Sequence, residues 1–116
     1  MRCLAAVFGL LLSVAASAAP WSQLFDVVAT DPNGGLATSF EFQARVNGGA
    51  WSATQTEVTP STQFTLSVDH AYLVEVQARP CDQGLCADWV LGSMTVPAGL
   101  LPFGTITITV PSWTKP

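Results

Sequence analysis

The chain of 116 residues has few charged residues and a single histidine, and each shortage argues against a class of function. Charged residues make up 10% of the sequence, with four basic against eight acidic side chains. Binding to nucleic acid phosphates requires a basic face. We therefore expect no nucleic acid partner.

Groups for catalysis are also scarce. The one histidine, His70, follows Asp69 in a predicted turn, a position typical of a solvated pair. A serine nucleophile motif is missing, and the glycine pairs 34–35 and 48–49 lie in predicted turns without the following helix of a phosphate-binding loop. We expect a protein that is not an enzyme and that uses no cofactor and no metal.

The first 18 residues have the features of a secretory signal peptide. Arg2 supplies the positive charge, residues 4–14 form an apolar run, and Ala16, Ser17 and Ala18 are the small residues before a cleavage site. The run is shorter than the roughly 20 residues that cross a bilayer. Cleavage leaves one domain, residues 19–116, with three basic and eight acidic side chains and a net charge of −5. We expect it to be secreted or periplasmic, without membrane insertion.

Only two of the three cysteines belong to the predicted mature chain, because Cys3 leaves with the signal peptide. An even pair in an exported protein favours a disulfide between Cys81 and Cys86. The pair lacks the two-residue spacing of redox motifs, and with His70 it still needs a carboxylate to make a zinc site. A ring of about six residues stabilises the fold by roughly 2 kcal/mol. The bond would fix a hairpin more than the whole fold.

Alternation of apolar and polar residues predicts about seven β-strands and, outside the signal peptide, no helix. Turn-forming residues separate the strands, most clearly at 31–35 and at Asn47-Gly48-Gly49, where Asn and Gly accept positive φ. The hairpin turn at 47–49 makes the second and third strands neighbours. The predicted strands are 24–30, 38–46, 51–58, 63–68, 72–79, 88–96 and 104–110.

The alternation also assigns side chains to the two faces of a strand. The inward sets are Phe40, Phe42, Ala44 and Val46 on one strand and Tyr72, Val74, Val76 and Ala78 on another; the outward sets are Glu41, Gln43 and Arg45, and Glu75, Gln77 and Arg79. Both strands are therefore expected to be buried on one side.

The register of the cysteine hairpin makes a sharper prediction. If Cys81 lies opposite Cys86, Arg79 lies opposite Asp88 as an exposed ion pair, and Trp89 lies opposite Ala78 and points into the core. In that register Met94 and Val96 would point outward. We therefore predict a bulge at Gly92 that turns them back towards the core.

The central part of the chain resembles a known family. Leu66, Tyr72 six residues later, the alternating YLVEVQA of residues 72–78 and ADWV of 87–90 resemble the E, F and G strands of fibronectin type III domains, with their tyrosine corner. FEFQARVNGGAW, residues 40–51, is similar to their C strand and following turn. The resemblance covers residues 39–96. It implies an immunoglobulin-like β-sandwich and an adhesive, spacer or ligand-binding role; the family's Arg-Gly-Asp tripeptide is absent. The expected core includes Leu66, Tyr72, Val74, Val76 and Trp89.

The two ends of the chain depart from the family pattern. Before the C-like strand there is room for one strand where the family has two, so strand A is missing, and no tryptophan matches that of strand B. After the G-like strand the chain adds residues 104–110, with Ile106, Ile108 and Val110 on one face. This last strand is expected to close its own sandwich, to add beside strand G, or to exchange with a neighbouring molecule and give homo-oligomers.

Binding is then the expected function. Trp51 and Trp113 are candidates for stacking on sugar rings, and Asp82, Gln83 and Leu85 form a preorganised tip between the cysteines. Each has a structural alternative: Trp51 packing over its own hairpin, Trp113 covering the end of the sandwich, and the tip as a rigid hairpin end. Trp21 is expected to anchor the first strand.

Three functional hypotheses follow from these residues. The first is a protein-interaction module that uses the disulfide-closed tip and the face of Glu41, Gln43, Arg45, Glu75 and Gln77. The second is a carbohydrate-binding module that uses the tryptophans. The third is a structural subunit that assembles through the C-terminal strand.

Overall fold

The computed structural model describes residues 20–30, 37–98 and 104–111. These residues form eight β-strands in two sheets and contain no helix. The strands are β1 (Trp21–Ala29), β2 (Ser39–Val46), β3 (Gln55–Glu57), β4 (Ser61–Val68), β5 (Leu73–Asp82), β6 (Leu85–Cys86), β7 (Val90–Thr95) and β8 (Thr105–Val110). The all-β prediction is confirmed, and β6 is the strand beyond the seven predicted. The signal peptide, the turn at 31–35 and Trp113 lie outside the described residues.

The described residues include no helix that is long and apolar enough to cross a membrane.

The smaller sheet has three strands in the order β4-β1-β8. β1 and β4 are antiparallel, with Phe25 opposite Phe64. β8 lies parallel to β1, from the pair Leu24–Thr105 to the pair Ala29–Val110. The C-terminal strand therefore pairs within its own chain, which was the first of its expected positions.

The larger sheet has β2 between β3 and β5, and the other edge of β5 carries β6 and then β7. β2 and β5 pair over eight residues, with Gln43 opposite Gln77 at the centre. The antiparallel pairing of β2 with β3 confirms that these strands are neighbours. β5 is thus the central strand of this sheet.

The two sheets pack face to face around one apolar core, as in a β-sandwich. Phe25 and Val27 from the smaller sheet and Phe42, Val74 and Val76 from the larger one are fully buried. Burial of one such side chain contributes about 1.5–3 kcal/mol. The inward sets predicted from the alternation all face this core, with Val46 and Tyr72 only partly buried at the ends of their strands.

Tyr72 and Leu66 pack against the core from its edge. The backbone of Tyr72 is held at the end of β7, because Val96 donates a hydrogen bond from its N–H to the Tyr72 carbonyl (2.9 Å). Within the described part of the chain, the Tyr72 hydroxyl has no hydrogen-bond partner. Tyr72 therefore closes the edge of the core next to the end of β7.

The turn between β2 and β3 is a tight one. Asn47 and Gly48 have φ values of 52° and 72°, and the N–H of Gly49 donates to the carbonyl of Val46 (3.0 Å). An Asn-Gly pair adopts two positive φ values at little cost. The hairpin turn predicted at 47–49 is therefore confirmed. The Asn47 side chain also accepts a hydrogen bond from the N–H of Leu73 (2.8 Å) and ties the turn to β5.

The register of the cysteine hairpin shifts by one residue before β7 begins. Cys81 lies opposite Cys86, as predicted, but Ala78 lies opposite Val90 instead of Trp89. Three residues (87–89) therefore face two residues of β5 (79–80), as in a β-bulge. A slip of one residue turns every following side chain to the other face. The predicted inward position of Trp89 is wrong, because this extra residue turns Trp89 to the outer face.

The predicted bulge at Gly92 is also wrong, because the shift occurs earlier in the chain. From Val90 to Thr95 the pairing with β5 is regular, and Val90, Gly92, Met94 and Val96 face inward. Gly92 has a different role: a Cβ atom built on it would lie 3.0 Å from the carbonyl oxygen of Thr109 and 3.3 Å from the Cα of Val110. Glycine here lets β7 approach the backbone of β8 across the sandwich.

A buried glutamine fastens the start of β8 to β1. Gln23 is 1% exposed. Its side-chain amide donates hydrogen bonds to the carbonyls of Gly104 (2.6 Å) and Leu24 (3.1 Å), and its oxygen accepts one from the indole N–H of Trp21 (3.0 Å). A buried amide is stable only when it has such partners. Trp21 also packs against the core, which agrees with its expected anchoring of the first strand.

Candidate functional site

The outer side of the five-stranded sheet combines charged, amide and tryptophan side chains in one surface. β2 and β5 lie side by side here, so their outward residues form cross-strand pairs. Two tryptophans from the flanking segments lie against these pairs. We call this surface the Trp–Arg face; it consists of Glu41, Gln43, Arg45, Trp51, Glu75, Gln77, Arg79 and Trp89.

Two ion pairs lie on either side of its centre. The Nε of Arg45 is 2.8 Å from Oε1 of Glu75. Arg79 donates to Oε1 of Glu41 through Nε (2.8 Å) and Nη2 (2.6 Å). Both pairs join residues directly opposite each other on β2 and β5. The predicted pairing of Arg79 with Asp88 is therefore wrong; the register shift leaves Asp88 exposed in the segment before β7.

Each arginine of the Trp–Arg face also lies against a tryptophan. The guanidinium carbon of Arg45 is 4.2 Å from the ring centroid of Trp51, and that of Arg79 is 4.2 Å from the ring centroid of Trp89. Such cation–π contacts contribute about 0.5–1 kcal/mol when exposed and about 2 kcal/mol when desolvated. Because the arginines are partly buried, each contact helps to hold its indole ring in one orientation.

Trp51 reaches this position because the chain after the turn continues alongside β2. The N–H of Ser52 donates to the carbonyl of Ala44 (2.8 Å), and the Ser52 hydroxyl accepts from the N–H of Ala44 (3.0 Å). These bonds place Trp51 next to Arg45. Trp51 does pack over its own hairpin, as one alternative expected, and in doing so it joins the Trp–Arg face.

The centre of the Trp–Arg face is a pair of amides. The Gln77 amide donates to the oxygen of Gln43 (2.7 Å), and the Gln43 amide donates to the hydroxyl of Thr54 (3.0 Å). Beside Gln77, on β7, Leu91 is 47% exposed. A ligand that covers the Trp–Arg face would contact the two amides at the centre of the face, an ion pair on either side of them and an indole ring towards each end.

A local two-fold relationship explains why the same groups occur twice. Residues 41–45 read Glu-Phe-Gln-Ala-Arg and residues 75–79 read Glu-Val-Gln-Ala-Arg. Antiparallel pairing places Gln43 opposite Gln77, so each glutamate meets the arginine of the other segment. The alternation assigned six of these residues to outward faces, and the first functional hypothesis combined five of them in one surface, but the repeat was missed. The recurring Glu-x-Gln-Ala-Arg is the signal from which both ion pairs follow.

The disulfide predicted between Cys81 and Cys86 is present and closes a short turn. Cys81 and Cys86 form a disulfide, and the turn between them has positive φ at Gln83 (51°) and Gly84 (84°). Leu85 is 81% exposed, while Asp82 accepts a hydrogen bond from the Thr38 hydroxyl (3.3 Å). The disulfide is consistent with an oxidising location outside the cytoplasm.

Asp69 and His70 differ from the predicted solvated pair. Asp69 is buried, and its carboxylate accepts a hydrogen bond from the N–H of His70 (2.7 Å). The His70 ring lies 5.0 Å from that of Trp21, with its Nδ1 2.9 Å from the carbonyl oxygen of Pro97. Both residues thus help to pack the end of the sandwich.

One set of potential metal ligands occurs within the described ranges. A carboxylate oxygen of Glu41 and the sulfurs of Cys81 and Cys86 lie within 4.8 Å of one another. The sulfurs are joined in the disulfide, whereas zinc is bound by thiolates. With the disulfide formed, this set cannot supply a zinc site.

The chain matches no protein-family model, and no curated protein or solved structure is significantly similar to it.

Proposed function

We propose that the chain is an exported, non-catalytic binding module of the fibronectin type III-like kind, and that it holds its ligand on the Trp–Arg face. Export is supported by the signal-like residues 1–18 and by the disulfide, since structural disulfides persist in oxidising compartments. The order of the strands supports the family, and the chemistry of one surface supports the binding role.

The strand order is compatible with the immunoglobulin-like plan. In that plan one sheet contains strands A, B and E, and the other contains C, F and G. Here β1 and β4 take the places of B and E, and β2, β5 and β7 those of C, F and G. β8 pairs with the edge of β1 where strand A would lie, but parallel to it. We propose that the C-terminal strand replaces strand A.

The duplicated set of tryptophan, arginine and glutamate carries the proposal that this face binds. Tryptophan presents a broad stacking surface with a polar N–H, and tryptophan and arginine are among the residues that carry most of the binding energy at protein interfaces. Both indoles lie against arginines, and both arginines are tied to glutamates. Side chains already fixed in this way lose less entropy when a ligand binds. The Trp–Arg face is therefore preorganised.

The disulfide-closed tip is a second candidate, as the contact for a protein partner. Leu85 projects from it with 81% of its surface exposed. The turn is short and closed by the disulfide, so little conformational freedom is lost on contact. In this arrangement Leu85 would insert into an apolar pocket of the partner.

Retention on natural material tests the proposed function. The chain from residue 19 onward carries a fluorescent label at a position outside the Trp–Arg face. It is applied to immobilised cell-surface and extracellular fractions of the organism that produces it. We expect retention that falls at least about tenfold in the variant Trp51→Ala/Trp89→Ala and is unchanged in Val58→Ala, which alters a residue that is 82% exposed. Loss in Leu85→Ala instead would move the site to the tip. Equal retention of all variants would refute binding through either surface.

A further inference from the structure

We propose that the ligand of the Trp–Arg face is a neutral oligosaccharide chain that lies across both tryptophans. This inference rests on the proposed function and specifies its ligand. Three properties of the face lead to it: its stacking groups, its charge balance and its two-fold repetition.

Stacking is available at both ends of the face. The guanidinium of Arg45 lies against Trp51 and that of Arg79 against Trp89, each at 4.2 Å from the ring centroid. A guanidinium lies against each ring, and both tryptophans are partly exposed. In this inference the C–H face of a sugar stacks on the side of the ring opposite the guanidinium. Indole combines a broad apolar surface with a polar N–H, and this combination suits the mixed apolar and hydroxyl surface of a pyranose.

The charge balance selects a neutral ligand. The two arginines and two glutamates of the face form the ion pairs Arg45–Glu75 and Arg79–Glu41. Because their charges balance, the face has no net charge. An anionic polymer would have to compete with a glutamate for each guanidinium. Amide groups such as those of Gln43 and Gln77 donate and accept hydrogen bonds without charge, as binding to sugar hydroxyls requires.

The repetition selects a chain of several units. Arg45 and Arg79 are four residues apart along the paired strands, which corresponds to roughly 14 Å. That distance is longer than one sugar ring, so a monosaccharide cannot reach both tryptophans. Because the local two-fold axis passes between Gln43 and Gln77, the two halves of the face offer nearly the same groups. A chain of several sugar units is long enough to place one ring on each tryptophan.

The same surface is a poorer match for a protein partner. The well-packed centre of a protein interface is depleted in charged residues. Here the centre is a pair of glutamines between two ion pairs, and Leu91 is the large aliphatic side chain beside them. Desolvating four charges without a compensating apolar centre would oppose tight binding to a protein.

Titration calorimetry of the chain from residue 19 onward against soluble hexasaccharides provides the direct test. Cellohexaose, chitohexaose, xylohexaose and mannohexaose are the neutral probes, with hexagalacturonate as the anionic probe and the matching monosaccharides as length controls. We expect one or more neutral hexasaccharides to bind, monosaccharides to bind at least about tenfold more weakly, and Trp51→Ala and Trp89→Ala each to weaken binding about tenfold or more. Val58→Ala serves as the matched control and should bind like the parent chain.

Treatment of the retained natural material separates this inference from the proposed function. If periodate, which opens sugar rings that carry vicinal hydroxyls, or a glycosidase mixture that includes chitinase abolishes face-dependent retention and protease does not, the oligosaccharide inference is supported. If protease abolishes it and periodate does not, or if hexagalacturonate binds more tightly than every neutral probe, the inference is overturned while a binding role for the face stands. If no retention depends on Trp51 or Trp89, both fail. Circular dichroism of each variant verifies that a lost signal is not lost folding.

Discussion

Replacing Trp89 by alanine tests the one-residue register shift that turns this ring outward. In an unshifted hairpin Trp89 would point into the core opposite Ala78, and Arg79 would lie on the other side of the sheet. In the structure Trp89 lies against Arg79 on the outer face. The two arrangements predict different free energies of unfolding, and above all a different coupling between the two side chains.

The expected cost follows from the surroundings of the ring. Truncation of a core tryptophan costs about 3–5 kcal/mol. Trp89 is only half-buried, and the Arg79 side chain beside it is 31% exposed, so the cation–π contact contributes about 1 kcal/mol, between the values for exposed and desolvated pairs. With the partial loss of apolar contact, we expect Trp89→Ala to lower the free energy of unfolding by about 2 kcal/mol.

A double-mutant cycle of Trp89→Ala and Arg79→Ala isolates the contact. We expect a coupling energy of about 1 kcal/mol, measured by urea denaturation followed by circular dichroism, because the variants remove a fluorophore. The loss of the Arg79–Glu41 ion pair occurs in both backgrounds and cancels. Trp51→Ala with Arg79→Ala is the matched control and should be additive within about 0.5 kcal/mol. A cost above about 3 kcal/mol for Trp89→Ala, with no coupling to Arg79, would refute the outward placement.

Four further predictions concern stability and assembly. Cys81→Ser/Cys86→Ser should lower the free energy of unfolding by about 2 kcal/mol in urea titrations, and complete unfolding would show that the hairpin organises the whole sandwich. Gly92→Val should lower the free energy of unfolding by about 1–3 kcal/mol, because the new Cβ would lie 3.0 Å from the Thr109 oxygen. Ser93→Val, at the neighbouring outward-facing position, should change that free energy by less than about 0.5 kcal/mol. Equal effects of the two variants would contradict the close approach of β7 to β8. Ile108→Ala truncates a buried side chain and should lower the free energy of unfolding by about 2–5 kcal/mol. Thr107→Ala changes the exposed residue next to it and should lower that free energy little. A small loss for both variants would mean that β8 does not complete the core. Light scattering should show a monomer at all concentrations for the intact chain and association after truncation at residue 103, because the edge of β1 is then unpaired; concentration-dependent oligomers of the intact chain would instead favour strand exchange.

Much of the larger sheet was predictable because its signals are local. The alternation in 40–46 and 72–78 identified the inward side chains, and Asn47-Gly48 identified the turn that brings β3 back to β2. The strand predicted at 51–58 is shorter in the structure, Gln55–Glu57, because the residues before it lie alongside β2 and are held there by the hydrogen bond of Ser52. The outward residues of the Trp–Arg face were placed on one side, but their partners were not all found.

The errors share one physical cause. The correct pairing of Cys81 with Cys86 was extended as though the hairpin had no irregularity, and one extra residue in 87–89 reversed the face of Trp89. Nothing in the local pattern decides between a bulge there and a bulge at Gly92, because either one returns Met94 and Val96 to the core. Contact between Gly92 and the backbone of β8 favours the regular pairing observed.

By itself, the sequence determined the all-β class, the disulfide and the faces of the strands at 40–46 and 72–78, because alternation, turn chemistry and cysteine number act over a few residues. Only the tertiary structure decided that β8 lies parallel to β1, that Glu41 and not Asp88 is the partner of Arg79, and that Trp51 and Trp89 lie on the same face. These contacts join segments that are distant in the chain. Their geometry depends on the register of whole strands, and one inserted residue changes that register.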